Sequence, residues 1–128
     1  MNPIIEQHVN EIELRLIESP IVISYEVLRR EIAPTDGKVR IKAMLSDGGC
    51  LEIFEYVVEH KGNLELTKYS FHWQDHDGRL RRRWDNAPHH PALPNAPHHV
   101  HSNETTAEGV FAIPTFFHIF NLIETYFS

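Results

Sequence analysis

Cysteine is nearly absent, Cys50 being the single one in 128 residues. A lone thiol closes no internal disulfide and completes no cysteine-rich zinc module, so a stapled secreted scaffold and a zinc ribbon both fail to fit. Long apolar runs are missing too: nothing approaches the roughly 18 residues of a membrane span. The start, Met1-Asn2-Pro3-Ile4-Ile5-Glu6, has no basic region leading into an apolar block, which is not the pattern of a secretory leader. The expectation is a cytoplasmic chain with no membrane partner. No phosphate-cradling glycine loop occurs, which argues against nucleoside triphosphate chemistry. Neither a Gly-x-Ser-x-Gly elbow nor a Cys/His signature supports a hydrolase nucleophile. No paired carboxylates stand out, so a two-metal nuclease is unattractive.

The length suits one domain, expected to span residues 1–128. Its net charge of −6 is unevenly spread. Residues 1–67 hold 7 Lys/Arg and 12 Asp/Glu; residues 68–101 hold 5 and 3, with seven of the ten histidines; residues 102–128 hold three Glu and no cation. An acidic body with a basic, imidazole-rich middle suggests a local anion site, against the plainer reading of a mixed surface. The acidic part is also a docking surface for a basic partner, or simply a solvated face.

Periodicity predicts an α+β fold: an antiparallel meander of about five strands, flanked by an N-terminal and a C-terminal helix. Asn2 is a good N-cap and Pro3 fits the first helical position. Ile5, Val9, Ile12 and Leu16 make one stripe, and Ser19-Pro20 ends it. Ile21, Ile23, Tyr25 and Val27 alternate with polar residues, as do Val39, Ile41, Ala43 and Leu45. In Leu51–Glu59 the apolar phase switches between Ile53 and Phe54, suiting a bulge or a fully buried strand. The closing helix begins near Pro114, with Phe116, Phe117, Ile119, Phe120, Ile123 and Phe127 as its apolar face.

Asp77-Gly78 is a two-residue hairpin signal. With those residues as the loop, His76 faces Arg79, Gln74 faces Arg81, and His72 faces Arg83. One face then carries His72, Gln74, His76, Arg79, Arg81 and Arg83; the other carries Phe71, Trp73, Leu80 and Trp84. A slip of one residue would exchange them. Beyond Asp85 and Asn86, four prolines break the chain before His101, so a long Pro/His-rich loop is expected.

That loop carries His89, His90, His98, His99 and His101. Imidazole moves protons near neutral pH and is also the commonest metal ligand. Three readings stay open: acid/base catalysis beside the arginines, a metal site, and imidazoles that only satisfy loop carbonyls. His-Glu-x-x-His is absent, so a metal rests on composition alone; no metal ligand set and no cofactor are assigned. Metal-independent RNA cleavage needs a base, an acid and cations for the phosphorane charge, which His and Arg supply. The candidate catalytic set is His72, Arg83, Asp85, His89, His90, His98, His99 and His101. Tyr69, Gln74, Arg81 and Asn86 are candidates for substrate binding, arginine forks suiting phosphate and an aromatic ring suiting a base. Trp73 and Trp84 read as core, Cys50 as buried, and His8 and His118 as plain helix residues.

The blocks Tyr69-Ser70-Phe71-His72-Trp73, Arg83-Trp84-Asp85-Asn86-Ala87-Pro88-His89-His90 and Pro97-His98-His99-Val100-His101 resemble the TumE family of small bacterial and archaeal toxins. The resemblance covers nearly the whole chain. It implies the toxin of a type II toxin–antitoxin pair, silenced by a cognate antitoxin that often has a helix-turn-helix DNA-binding part. It maps onto His72, Arg83, Asp85, Asn86, His89, His90, His98, His99 and His101. An RNA substrate, a ribonuclease activity and a homodimer are expectations beyond it. A non-enzymatic toxin or interaction module and a His-rich metal-binding domain are the alternatives.

Overall fold

The computed structural model describes residues 2–86, 99–101, 107–109 and 115–127. Helix α1 (Pro3–Glu18) begins as its sequence predicts. The Asn2 side chain accepts from the amides of Ile4 and Ile5, and Pro3 takes the first helical position. Ile5, Val9, Ile12 and Leu16 are its buried residues. The strands follow as β1 (Val22–Ile32), β2 (Asp36–Leu45), β3 (Cys50–His60), β4 (Asn63–Gln74) and β5 (Leu80–Asp85). Two three-residue strands, β6 (His99–His101) and β7 (Ala107–Gly109), extend the sheet, and helix α2 (Phe116–Tyr126) closes the order. Each strand pairs antiparallel with the next in sequence. The end of the Pro/His-rich segment is thus strand where a loop was expected.

Strands β2 and β3 pair without a shift, and β2 alternates as its sequence does. In β3 the apolar phase switch is no bulge against β2: Ile53 is buried with the core, while Phe54 sits half-buried on the opposite face. The bulge falls a few residues on, between Tyr56 and Val57 against β4. The β3–β4 turn uses Lys61 at φ 52° and Gly62 at φ 84°, the left-handed pair that a tight hairpin demands. Strand β1 departs from expectation. It runs to Ile32 with two register shifts, and the residues skipped at them, Ile23 and Leu28, are bulged and exposed.

Both helices supply the buried side of one core. Ile41, Ala43, Leu51, Ile53, Phe71, Trp73 and Trp84 from the sheet meet the α1 stripe and Phe116, Ile119, Phe120 and Ile123 of α2. Each Ile, Leu or Phe among them contributes about 1.5–3 kcal/mol on burial. α1 sits closely on β2: a Cβ at Gly37 would stand 2.6 Å from Cγ2 of Ile5. Arg15 ties the helices together, donating to Glu124 and to Oδ1 of Asn121, and Ser19 Oγ donates to Glu124 at 2.8 Å. Thr115 caps α2 by accepting from the His118 amide. Among the described residues no helix is long and apolar enough to cross a membrane.

Candidate functional site

Strands β4 and β5 pair as predicted along most of their length. Ser70 stands opposite Asp85, Phe71 opposite Trp84, and His72 opposite Arg83. Trp73 and Trp84 are buried under the helices, as read from the sequence. His72 and Arg83 therefore share the other face, which neither helix covers. Opposed residues in an antiparallel pair have Cβ atoms about 4.5–5.5 Å apart.

The same row continues to both sides. On β3 the residue opposite His72 is Glu52, itself opposite Lys42 on β2. On β6, position 101 stands opposite Arg83 and position 99 opposite Asp85. Asp85 is 5% exposed and accepts from Nε of Arg83 at 2.9 Å, which orients that guanidinium from two residues along the same strand. Glu52 is half-exposed and lies 3.8 Å from Arg40. Two aromatic rings flank the row on β3: Arg40 lies 4.6 Å from the Phe54 ring, and Lys38 5.4 Å from the Tyr56 ring. The assembly is a carboxylate, an imidazole and a guanidinium on three adjacent strands.

The hairpin tip differs from the prediction. The turn is not Asp77-Gly78 alone; residues 75–79 connect the strands. Asp75 is the cause, its carboxylate accepting from the amides of Asp77 and Arg79. Those bonds, led by the Arg79 amide, hold its carboxyl below the usual range. His76 and Arg79 leave the ladder, and Gln74 faces Leu80 instead of Arg81. Arg81 becomes the extra residue of a bulge, which re-aims its side chain. It lies on the helix side, 4.6 Å from the Tyr126 ring and 5.5 Å from the Trp73 ring, donating to the Tyr126 hydroxyl. Arg81 thus does not share the face of His72.

The other candidates fall as follows. Tyr69 is 1% exposed and stacks on Phe71 in the core, so its ring presents no face to a base. Burial, then the charge of Asp85, raises its phenol pKa. Asn86 pins the end of β5 to β4, accepting from the Tyr69 amide and donating to the Thr67 carbonyl. Gln74 is half-buried at the tip end of β4. His89, His90 and His98 lie outside the described residues, and His99 and His101 are described by backbone register alone. Asp75, His76 and Asp77 offer ligand atoms within 4.8 Å of one another, but two are exposed and the Asp75 carboxylate is already bonded to backbone.

A family model described as Toxin TumE matches residues 12–127. The chain belongs to the TumE toxin family. Membership supports the role of toxin in a toxin–antitoxin system, with an antitoxin as its partner. No curated protein and no solved structure showed significant similarity.

One buried polar pair of this TumE-family chain was not read from its sequence. Glu55, 1% exposed, bonds Nε2 of His8 at 2.6 Å across from α1. Burial works against a charged His8, but the hydrogen bond to Glu55 and the charges of Glu55 and Glu11 prevail, and its pKa is raised. The signal was present: Glu55 lies in phase with Ile53 and Val57, a carboxylate at an apolar strand position. Cys50 is buried, as expected, and burial raises its thiol pKa. Two donors in the core region, Trp73 Nε1 and Arg81 Nε, find no hydrogen-bond partner among the described residues. Such a buried donor costs about 1–3 kcal/mol.

Proposed function

We propose that this toxin arrests growth by cleaving RNA on the face of its sheet away from the helices, with Glu52, His72 and Arg83 as the reacting groups. The observation that carries the reading is their cross-strand row, three chemically different groups in directly opposed positions. Cleavage without a metal proceeds by attack of a ribose 2′-hydroxyl on the adjacent phosphorus. The Glu52 carboxylate takes the hydroxyl proton. The His72 imidazolium gives a proton to the departing 5′-oxygen, leaving a 2′,3′-cyclic phosphate and a 5′-hydroxyl. The Arg83 guanidinium, oriented by Asp85, offsets the negative charge that builds on the phosphorane oxygens. Gln74, on the same face of β4, contacts the chain beside the cleaved bond, and the rings of Phe54 and Tyr56 offer half-exposed surfaces to bases. The histidines at 89, 90, 98, 99 and 101 supply a second proton donor or phosphate contact. In this reading the cytoplasmic toxin is silenced by a cognate antitoxin carrying a helix-turn-helix DNA-binding part.

The test is induction in a bacterial host without the antitoxin, with growth followed and RNA 5′ ends sequenced. The expected result is arrest with new, sequence-biased ends bearing 5′-hydroxyls. His72→Ala, Glu52→Gln and Arg83→Ala, at equal soluble level and with unchanged circular dichroism, each lower cutting by about 10²–10⁴-fold, the usual worth of an acid or base. Arrest with intact RNA, or wild-type cutting by His72→Ala, overturns the mechanism.

A further inference from the structure

Across the sheet from His72 lies a cavity of about 640 Å³, between the end of α2 and the β4–β5 hairpin. Its size is that of sites for small organic ligands. The bulge at Arg81 builds it. Arg79, Arg81 and Arg82 all line it, and Trp73, Leu80, Leu122 and Tyr126 form an apolar wall.

The polar inventory is one-sided. Trp73 is 3% exposed, yet its indole N–H has no acceptor among the described residues, and neither has Nε–H of Arg81. Both orphans are donors, so a complementary ligand brings acceptors. Two carboxylates stand nearby. Asp75, in the lining, is committed to two backbone amides, and Asp47 lies 3.9 Å from Arg81. Three guanidinium groups against these two leave a net positive lining. Planar guanidinium forks suit phosphate oxygens, and the flat rings suit a flat partner.

We propose that this pocket binds a nucleotide, free or as a unit of an RNA chain. The phosphate lies among Arg79, Arg81 and Arg82 and the base against the Trp73–Tyr126 wall. A small swing of the Arg81 guanidinium, now covering those rings, lets the ligand reach both unpaired donors. The proposal does not rest on RNA cleavage, since the pocket and His72 occupy opposite faces.

The protein has two tryptophans, so a ¹H–¹⁵N spectrum shows two indole signals, which Trp84→Phe assigns. Titration with adenosine 5′-monophosphate is expected to move the Trp73 signal to saturation and leave that of Trp84 in place. Arg82→Ala and Arg81→Gln should each weaken binding by about tenfold, the loss of one charge-assisted bond. His72→Ala should bind as the wild type does. A short oligoribonucleotide that moves the same signal more tightly than the monophosphate identifies RNA as the source. A monophosphate that binds more tightly identifies the free nucleotide. Adenosine moving the signal equally well, inorganic phosphate binding as tightly as the nucleotide, or no movement up to about 10 mM nucleotide overturns the proposal.

Discussion

His8 and Glu55 show how one buried pair constrains a core. The carboxylate is almost fully enclosed, and the imidazole is its bonding partner from α1. His8→Ala would leave that carboxylate unpaired, a loss of about 3 kcal/mol, the low end for buried pairs because His8 keeps some exposure. Replacing both residues by leucine removes charge and partner together, so the double variant should unfold within about 1 kcal/mol of the wild type. Urea unfolding of the single and double variants checks this; equal losses in both would mean that packing, not pairing, holds the site. The cross-strand opposition of His72 and Arg83 was legible because it follows from counting outward from one turn. Glu52 was not. Counted from the Lys61-Gly62 turn it would oppose Phe71, on the wrong face; the bulge near Tyr56 and Val57 moves it opposite His72. A bulge leaves no clear mark in residue type.

At the scale of elements, α1 was the most readable. Its cap, first-turn proline, stripe and end are all local signals, and all four appear in the structure. Asn2 also does what no local signal announces. Its amide donates to the Pro34 carbonyl and to Glu59, so the cap fastens the helix to the β1–β2 turn and to β3. Asn2→Ala should therefore cost about 2 kcal/mol, the upper end for a lost cap, read as a lowered urea midpoint with unchanged slope. Asn2→Asp would keep the cap but set a second carboxylate against Glu59, and should fall between. The hairpin tip was misread for a converse reason. Asp77-Gly78 is a strong turn signal, but Asp75 two residues earlier gathers two backbone amides and widens the turn. Strand β1 was misread because two bulges, at Ile23 and Leu28, break the alternation that its sequence suggests.

For the whole molecule, titration acts from two sides. His8 has its folded pKa raised above 6.5, so its stabilisation is complete below that value and fades as pH rises through the raised one. Glu124, held by the Arg15 hydrogen bond and by Ser19, has its pKa lowered below 4.5, as has Glu59, through the Gly62 amide and Asn2, and that of Asp75 is lowered below 3.8. Their contributions are complete above the ordinary carboxylate values and are lost as pH falls through the lowered ones. Thermal melting should thus peak between 4.5 and 6.5 and decline on both sides. His8→Gln should flatten the alkaline side alone; a wild-type curve still rising above pH 7 would contradict the assignment.

The helices cover only one side of the sheet. Along β4 this divides the letters of the sequence between two masters. Tyr69, Phe71 and Trp73 answer to foldability, whereas the half-buried Ser70, His72 and Gln74, one step away, answer to whatever the side away from the helices touches. A lineage can therefore rewrite its chemistry at every second position without disturbing the interior, and two descendants of one ancestor can diverge in target while keeping the same skeleton.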